Sequence, residues 1–236
     1  TWHGKQITPG QQSSGQFAVL ALTDGNVPLV AFYNPSGSNL SIATLVGDAF
    51  VTTEVEHAPI STDAFSFISM EVDENDHPHL AYCYGVAVGM CSELHYAVFD
   101  GAAWSVEEVD TSEGAGYYAS LALDSAGYPH ISYHVNGTAL KYAYKDAGGW
   151  HSQVVESGNT GKYSALVLDA NDQPAIAYYS QVSGKLKYTY WDGSAWAMNM
   201  SPDAYQGIYG NLELDAADNP QLVYWDDYNN MIMLAK

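Results

Sequence analysis

The sequence predicts an all-β chain of five repeats, each of four short strands, closed into a ring. Three observations lead there. With 19 Tyr and 13% aromatic residues against only 14% charged residues, the composition suits strands better than helices. A pattern of alternating apolar residues around a proline-bearing turn recurs five times. The last repeat lacks a strand that the N-terminus can supply. At 236 residues the chain is long enough to bury a sizeable core.

The repeat is clearest where residues 119–155, ASLALDSAGYPHISYHVNGTALKYAYKDAGGWHSQVV, are echoed from residue 164 by SALVLDANDQPAIAYYSQVSGKLKYTYWDGSAWAMNM. Pro28, Pro78, Pro129, Pro174 and Pro220 fall at intervals of 50, 51, 45 and 46 residues. The units are therefore about 47 residues long, a period typical of repeat architectures. Their boundaries fall at about 13–60, 61–113, 114–159, 160–204, and 205–236 together with 1–12.

Strand one of each unit alternates, as in Ala18/Leu20/Leu22, Ile68/Met70/Val72, Ala119/Leu121/Leu123, Ser164/Leu166/Leu168 and Gly210/Leu212/Leu214, the period-two mark of a buried strand face. The turn that follows reads TDGNVP, DENDHP, DSAGYP, DANDQP or DAADNP. Asp, Asn and Gly there supply side-chain acceptors and positive φ, and Pro opens strand two. Strand two alternates in turn, with Val30/Phe32, Leu80/Tyr82, Ile131/Tyr133, Ile176/Tyr178 and Leu222/Tyr224 on one face. Strand three starts at Leu40, Leu94, Leu140 and Leu186, and Phe50, Trp104, Trp150 and Trp196 follow at a fixed spacing that implies a hairpin to strand four.

The fifth unit stops after its third strand, at Met231 to Lys236. Residues 2–8, WHGKQIT, match WHSQVVE at 150–156, so the N-terminal strand is expected to complete the last unit and remove two open sheet edges.

These motifs, LALDSAGYPHISY, LKYAY and GGW above all, resemble five-bladed β-propellers of a repeat type met in exported bacterial proteins. In blade number and length the chain is similar to the tachylectin-2 type of lectin. The resemblance covers the whole chain and speaks to fold more than function, because propellers host lectins, glycosidases, lyases and inert scaffolds alike. It implies that the start of strand one and the loop joining strands two and three share the top face.

There are 27 acidic residues against 7 Lys and no Arg, a formal charge of −20. Nucleic acid and anionic membrane surfaces would repel such a chain, so neither is expected as a partner. The chain holds no run of 18 apolar residues, and it opens at Thr1 without a charged and then apolar leader, which reads as a soluble mature fragment whose signal peptide has been removed. Cys83 and Cys91 lie eight apart and are read as a disulfide of an exported protein, extracellular, at the cell surface or periplasmic, against the alternative of two free thiols in a cytosolic loop.

Candidate ligand-binding residues come from the top-face positions and from blades that depart from the repeat. Phe17, Phe67, Tyr118, Tyr163 and Tyr209 form a column at the start of strand one, one per blade. Tyr33, His134, Tyr179 and Trp225 end strand two, the last blade adds Asn211, Glu213, Asp226, Asp227 and Tyr228, and the second blade adds Glu71. Aromatic rings can stack on sugar faces while nearby polar groups bind hydroxyls; the same rings could equally be interblade packing. The expected function is noncatalytic binding of a glycan or other surface ligand, or a structural and adhesive surface role. The competing enzymatic reading uses Glu71 and Glu213, at equivalent positions of strand one, as the carboxylate pair of a glycosidase, which needs a separation of roughly 5–9 Å. The turn acids Asp73, Asp124, Asp169 and Asp215 lack the Gly and distal Glu of a calcium loop and are read as turn acceptors. His79 and His130, with His77, His95 and His134 near them in the pattern, could suggest a transition metal, but polar strand positions account for them, and neither metal nor cofactor is expected.

Overall fold

The computed structural model describes residues 6–7, 16–34, 37–57, 65–85, 90–205, 207–226 and 228–236, with backbone alone at 16, 65, 66, 199–205 and 207–209. Among the described residues, nineteen strands form five antiparallel sheets. The first holds β1 (Gln16–Leu22), β2 (Pro28–Asn34), β3 (Asn39–Val46) and β4 (Ala49–His57), and the second β5 (Phe65–Val72), β6 (Pro78–Tyr84), β7 (Glu93–Phe99) and β8 (Trp104–Asp110). The third holds β9 (Tyr117–Leu123), β10 (Pro129–Val135), β11 (Ala139–Asp146) and β12 (Gly149–Ser157), and the fourth β13 (Thr160–Leu168), β14 (Pro174–Ser180), β15 (Lys185–Trp191) and β16 (Trp196–Tyr205). The fifth is a three-stranded sheet of β17 (Gly207–Leu214), β18 (Pro220–Asp226) and β19 (Met231–Ala235). Of the closing strand expected at residues 2–8, only Gln6 and Ile7 are described, in irregular backbone; the rest lies outside the described residues.

The chain forms two compact units, Thr1–Thr111 and Ser112–Lys236. In the first, one core joins the two sheets: Leu29, Ala31, Tyr33, Leu40 and Ile42 of the first pack against Ile68, Met70, Leu80 and Tyr82 of the second. In the second, Leu140 and Tyr142 meet Leu166, Ile176 and Tyr178, while Ala165, Ala177 and Leu186 meet Leu212, Leu222 and Tyr224. The alternating column of strands one and two is thus the face that packs on the preceding sheet. In the first sheet this expectation fails, since Leu20 and Leu22 are 64% and 53% exposed. There β1 turns Val19 and Ala21 to the core instead.

The turn after strand one is built as its acids require. Asp73 Oδ1 accepts the Asn75 and His77 N–H groups at 2.9 and 2.8 Å, and Asp124, Asp169 and Asp215 repeat the arrangement. Thr23 Oγ1 does part of the work in the first sheet. Burial would raise the Asp73 carboxyl, but the His77 and Asn75 N–H groups and the charge of His77 win and hold it low. A second acid of the turn sits at positive φ and reaches back to the neighbouring turn: Asp76 Oδ1 accepts the Asp24 N–H at 2.7 Å, and Asp172 accepts the Ser125 N–H at 2.9 Å and hydroxyl at 2.6 Å. Asp100 and Asp192 close the β7–β8 and β15–β16 hairpins by accepting two N–H groups each.

Cys83 ends β6 and Cys91 precedes β7; both are buried and disulfide-bonded, with Cα atoms 5.3 Å apart. In the chain-entropy account a loop this short contributes about 2–3 kcal/mol. Intact-mass measurement in denaturant is expected to find no alkylated thiol until reductant is added and two afterwards. Labelling without reductant would show that the bond is absent.

Candidate functional site

The start of strand one is irregular in all five sheets. A register shift interrupts its pairing with strand two between residues 16 and 19, 66 and 69, 117 and 120, 162 and 165, and 208 and 211. Inside four of these bulges the candidate aromatic takes left-handed backbone: Phe17 at φ 55°, Phe67 at 51°, Tyr118 at 55° and Tyr163 at 54°. A bulky residue in this conformation is strained by about 1–3 kcal/mol, and such strain gathers where a side chain must be aimed. Phe17 is 46% exposed and the other three are half-buried. Their rings approach in pairs, Phe17 and Phe67 at 6.4 Å between centroids, Tyr118 and Tyr163 at 4.6 Å. The Tyr118 carbonyl, turned out of the ladder, accepts the Ser164 hydroxyl at 2.6 Å. The fifth member, Tyr209, lies where only backbone is described.

Strand two brings its ends to the same edge, with Tyr33, Tyr179 and Trp225 opposite Gln16, Lys162 and Ile208, and His134 opposite Tyr117. These candidates separate by burial. Tyr33 is wholly buried. His134 is 1% exposed, its Nδ1 donating to the Thr160 carbonyl at 2.6 Å and its Nε2 accepting from the Gly137 N–H at 3.3 Å. Burial holds that imidazole neutral, and both residues work as packing and loop anchors. Tyr179 and Trp225 keep some exposure, as do Asn211, Glu213 and Glu71. Asp226 spends its carboxylate on the turn after β18, accepting from the Asn229 side chain and the Tyr228 and Asn229 N–H groups. These bonds, that of the Asn229 side chain first, hold its carboxyl low. Asp227 lies outside the described residues, and Tyr228 is 79% exposed.

The histidines at the start of strand two are also engaged. His79 pairs through Nδ1 with the Tyr96 hydroxyl and faces Asp73 at 3.7 Å; His130 does the same with Tyr142 and, at 3.5 Å, Asp124. Burial lowers both imidazoles and raises both phenols. A further set of contacts, between sheets, escapes sequence reading. Glu56 of β4 accepts the Tyr82 hydroxyl at 2.7 Å and faces His95 of the next sheet at 3.2 Å; Glu156 of β12 accepts the Tyr178 hydroxyl at 2.6 Å and pairs with Lys187.

A second candidate site, which the sequence did not suggest, opens between the third and fourth sheets at the end where strand two begins. It is a groove of about 490 Å³ lined by Tyr142, Tyr144, His151 and Trp191, with His130, Gln153, Asp172 and Gln173 supplying polar groups. Tyr144 stacks on His151 at 4.9 Å and lies beside Tyr142 at 5.8 Å, so aromatic faces line one wall. The Ser125 hydroxyl and N–H hold the Asp172 carboxyl low, and the His130 charge adds to this, so an ionised acceptor stands at the rim. The signal for this groove was divided between Tyr144 and His151 of one repeat and Trp191 of the next, which only sheet packing brings together.

No protein-family model matches the sequence, and no curated protein does. Among solved structures, a protein of unknown function from Dyadobacter fermentans matches at TM-score 0.65 and 9% identity over 89% of this chain and 74% of its own. A lectin of Aleuria aurantia, described as a six-bladed β-propeller with a novel mode of fucose recognition, matches at 0.58 and 15% over 94% and 78%. An exo-β-1,3-galactanase from Phanerochaete chrysosporium, solved with galactose, matches at 0.56 and 14% over 92% and 58%. At these identities the likeness is one of fold, and the fold is that of a β-propeller.

If the bulge aromatics were kept for stability, their strained backbone would be a poor choice. Phe17→Gly is expected to leave stability within about 0.5 kcal/mol of the parent or raise it, because relief at positive φ offsets a half-exposed ring. Phe17→Val, β-branched at the same φ, is expected to cost at least about 1 kcal/mol more than Gly. Urea denaturation measures both, and a glycine variant weaker than the valine one would sink the strain argument.

Proposed function

We propose that this chain is a noncatalytic, carbohydrate-binding β-propeller of five blades, tachylectin-2-like in blade number and length, with residues 2–8 completing the last blade. The groove between the third and fourth sheets carries the reading. Its size suits one or two sugar rings, its aromatic faces suit their CH surfaces, and Asp172, Gln153 and Gln173 suit their hydroxyls. The bulge aromatics Tyr118 and Tyr163, with Tyr179, Trp225, Asn211 and Glu213, are the candidates for a second face in the second unit, and Phe17 and Phe67 are those of the first. The fucose-recognising neighbour supports a glycan ligand, and the disulfide suits an extracellular, cell-surface or periplasmic protein.

With a galactanase among the neighbours, a hydrolase is the alternative reading, and Glu71 and Glu213 are the acids that the sequence offers for it.

A glycan array followed by calorimetry on the best ligand tests the reading. Tyr144→Ala and Trp191→Ala are expected to cost about 1–3 kcal/mol of affinity, and Trp225→Ala or Tyr163→Ala a similar amount if the second face is used. Glu71→Gln should change little. Reducing sugar released from bound glycan, and lost in Glu71→Gln or Glu213→Gln, would replace the lectin reading with the hydrolase. No binding across a broad array would leave the structural surface role.

Ring closure has its own test. Deleting residues 1–10 is expected to lower the melting temperature by several degrees, since it strips a sheet of its outer strand. An unchanged melting temperature would exclude closure by that segment.

A further inference from the structure

In the first unit the repeat departs from itself at one sheet corner. The fourth sheet carries Lys185 and Lys187 on either side of the buried Leu186, whereas the second carries Glu93 and His95 on either side of the buried Leu94. Strand alternation puts Glu93 and His95 on one face of β7, and register puts Glu108 of β8 directly opposite His95. The ligating atoms of Glu93, His95 and Glu108 all lie within 4.8 Å of one another.

The imidazole is fixed before any ligand arrives. His95 is 4% exposed, stacked on Tyr84 at 4.4 Å with the rings 2° from parallel. Its Nδ1 meets Glu56 at 3.2 Å, and the Tyr82 hydroxyl, donating to the same carboxylate at 2.7 Å, holds that group in turn. Its Nε2 is left facing Glu93 at 3.0 Å. This is the order of contacts that sets a metal-binding histidine: a carboxylate on one ring nitrogen fixes tautomer and orientation, and the other nitrogen coordinates. Charge argues the same way. Lys5 is the sole Lys or Arg in residues 1–111, so Glu56, Glu93 and Glu108 converge on a single imidazole with no Lys or Arg of the described residues 6–111 to balance them.

We propose that Glu93, His95 and Glu108 bind a first-row divalent metal of the zinc class, with Glu56 and Tyr82 as positioning residues. One imidazole and two carboxylates suit Zn²⁺ better than Ca²⁺, which takes oxygen alone. Bonds of about 2.1 Å place tetrahedral donors about 3.4 Å apart, so the carboxylates need only swing inward, and Glu108 is exposed and Glu93 half-buried, which leaves them room. The fourth position is open to water or a ligand oxygen.

The test is calorimetric titration of the chelator-treated, dialysed chain with Zn²⁺ and with Ca²⁺, and with Co²⁺ for its visible absorption. One saturable equimolar Zn²⁺ site is expected. It should weaken at least tenfold in Glu108→Gln, vanish in His95→Gln, and weaken roughly 10–100-fold in Glu56→Gln. Glu108 is exposed, so its variant should keep the parent melting temperature in chelator while losing the rise that Zn²⁺ gives. Glu74→Gln, an exposed control, should bind as the parent does. Absence of saturable Zn²⁺ uptake overturns the proposal, as does uptake that Glu108→Gln retains or that Glu74→Gln reduces equally. Ca²⁺ uptake indifferent to His95→Gln overturns it too.

Discussion

Each sheet has a face that another sheet must cover, and most of the structure follows from that constraint. The columns Leu80/Tyr82, Ile176/Tyr178 and Leu222/Tyr224 are nearly or wholly inaccessible, and the small residues opposite them, such as Ala31 and Ala177, let the neighbouring backbone come close. Tyrosine in that column carries a hydroxyl into the interface, and an unpaired hydroxyl there would cost about 1–3 kcal/mol. Glu56 and Glu156 meet this need from the outer strand of the preceding sheet. Packing and polar pairing are thus one device, and Leu20 and Leu22 of the first sheet stand outside it, exposed.

Legibility from sequence followed the range of the interactions. The turn acids and the Cys83–Cys91 bond act over a few residues, and the repeat displayed the first several times and the second at short spacing. Strand alternation gave the buried face in the other sheets, but it could not say which face a neighbouring sheet covers, and Leu20, expected to be buried, is exposed. His134 and Tyr33 end strand two, where parity alone leaves inside and outside open; the structure buries both. The groove at Tyr144, His151 and Trp191 and the carboxylate at Glu56 depend on residues from two repeats, and no spacing within one repeat announces them.

The column of bulge aromatics was legible as a column and illegible as a conformation. Nothing in the local sequence asks Phe17, Phe67, Tyr118 or Tyr163 to adopt φ near 55°, and Gly would adopt it without strain. Local preference and observed backbone disagree at four equivalent positions, and such disagreement in an otherwise consistent repeat gathers at sites with a task beyond folding. In these four sheets the two ends consequently differ in kind. One end holds strained aromatics. The other holds turns in which Asp73, Asp124 and Asp169, with Thr23 in the first sheet, accept turn N–H groups.

An acidic chain without arginine has few ways to satisfy its inward carboxylates, and the two units use different ones. In the second, Lys187 neutralises Glu156 and the Tyr178 and Thr160 hydroxyls donate to it as well. In the first, the equivalent carboxylate has a tyrosine hydroxyl and an imidazole, and the imidazole's other nitrogen faces a second carboxylate. A lysine there would close the charge balance permanently, because the ammonium keeps its proton across the physiological range. Histidine leaves the balance open, since its second nitrogen can hold a proton or a metal. Burial would drive the His95 imidazole neutral, but Glu56 and Glu93 hold it up, so in the metal-free protein the proton does the work of the missing lysine. What separates the two corners is therefore reversibility: Lys187 makes a fixed strut of Glu156, and His95 makes an exchangeable position of the same place in the repeat.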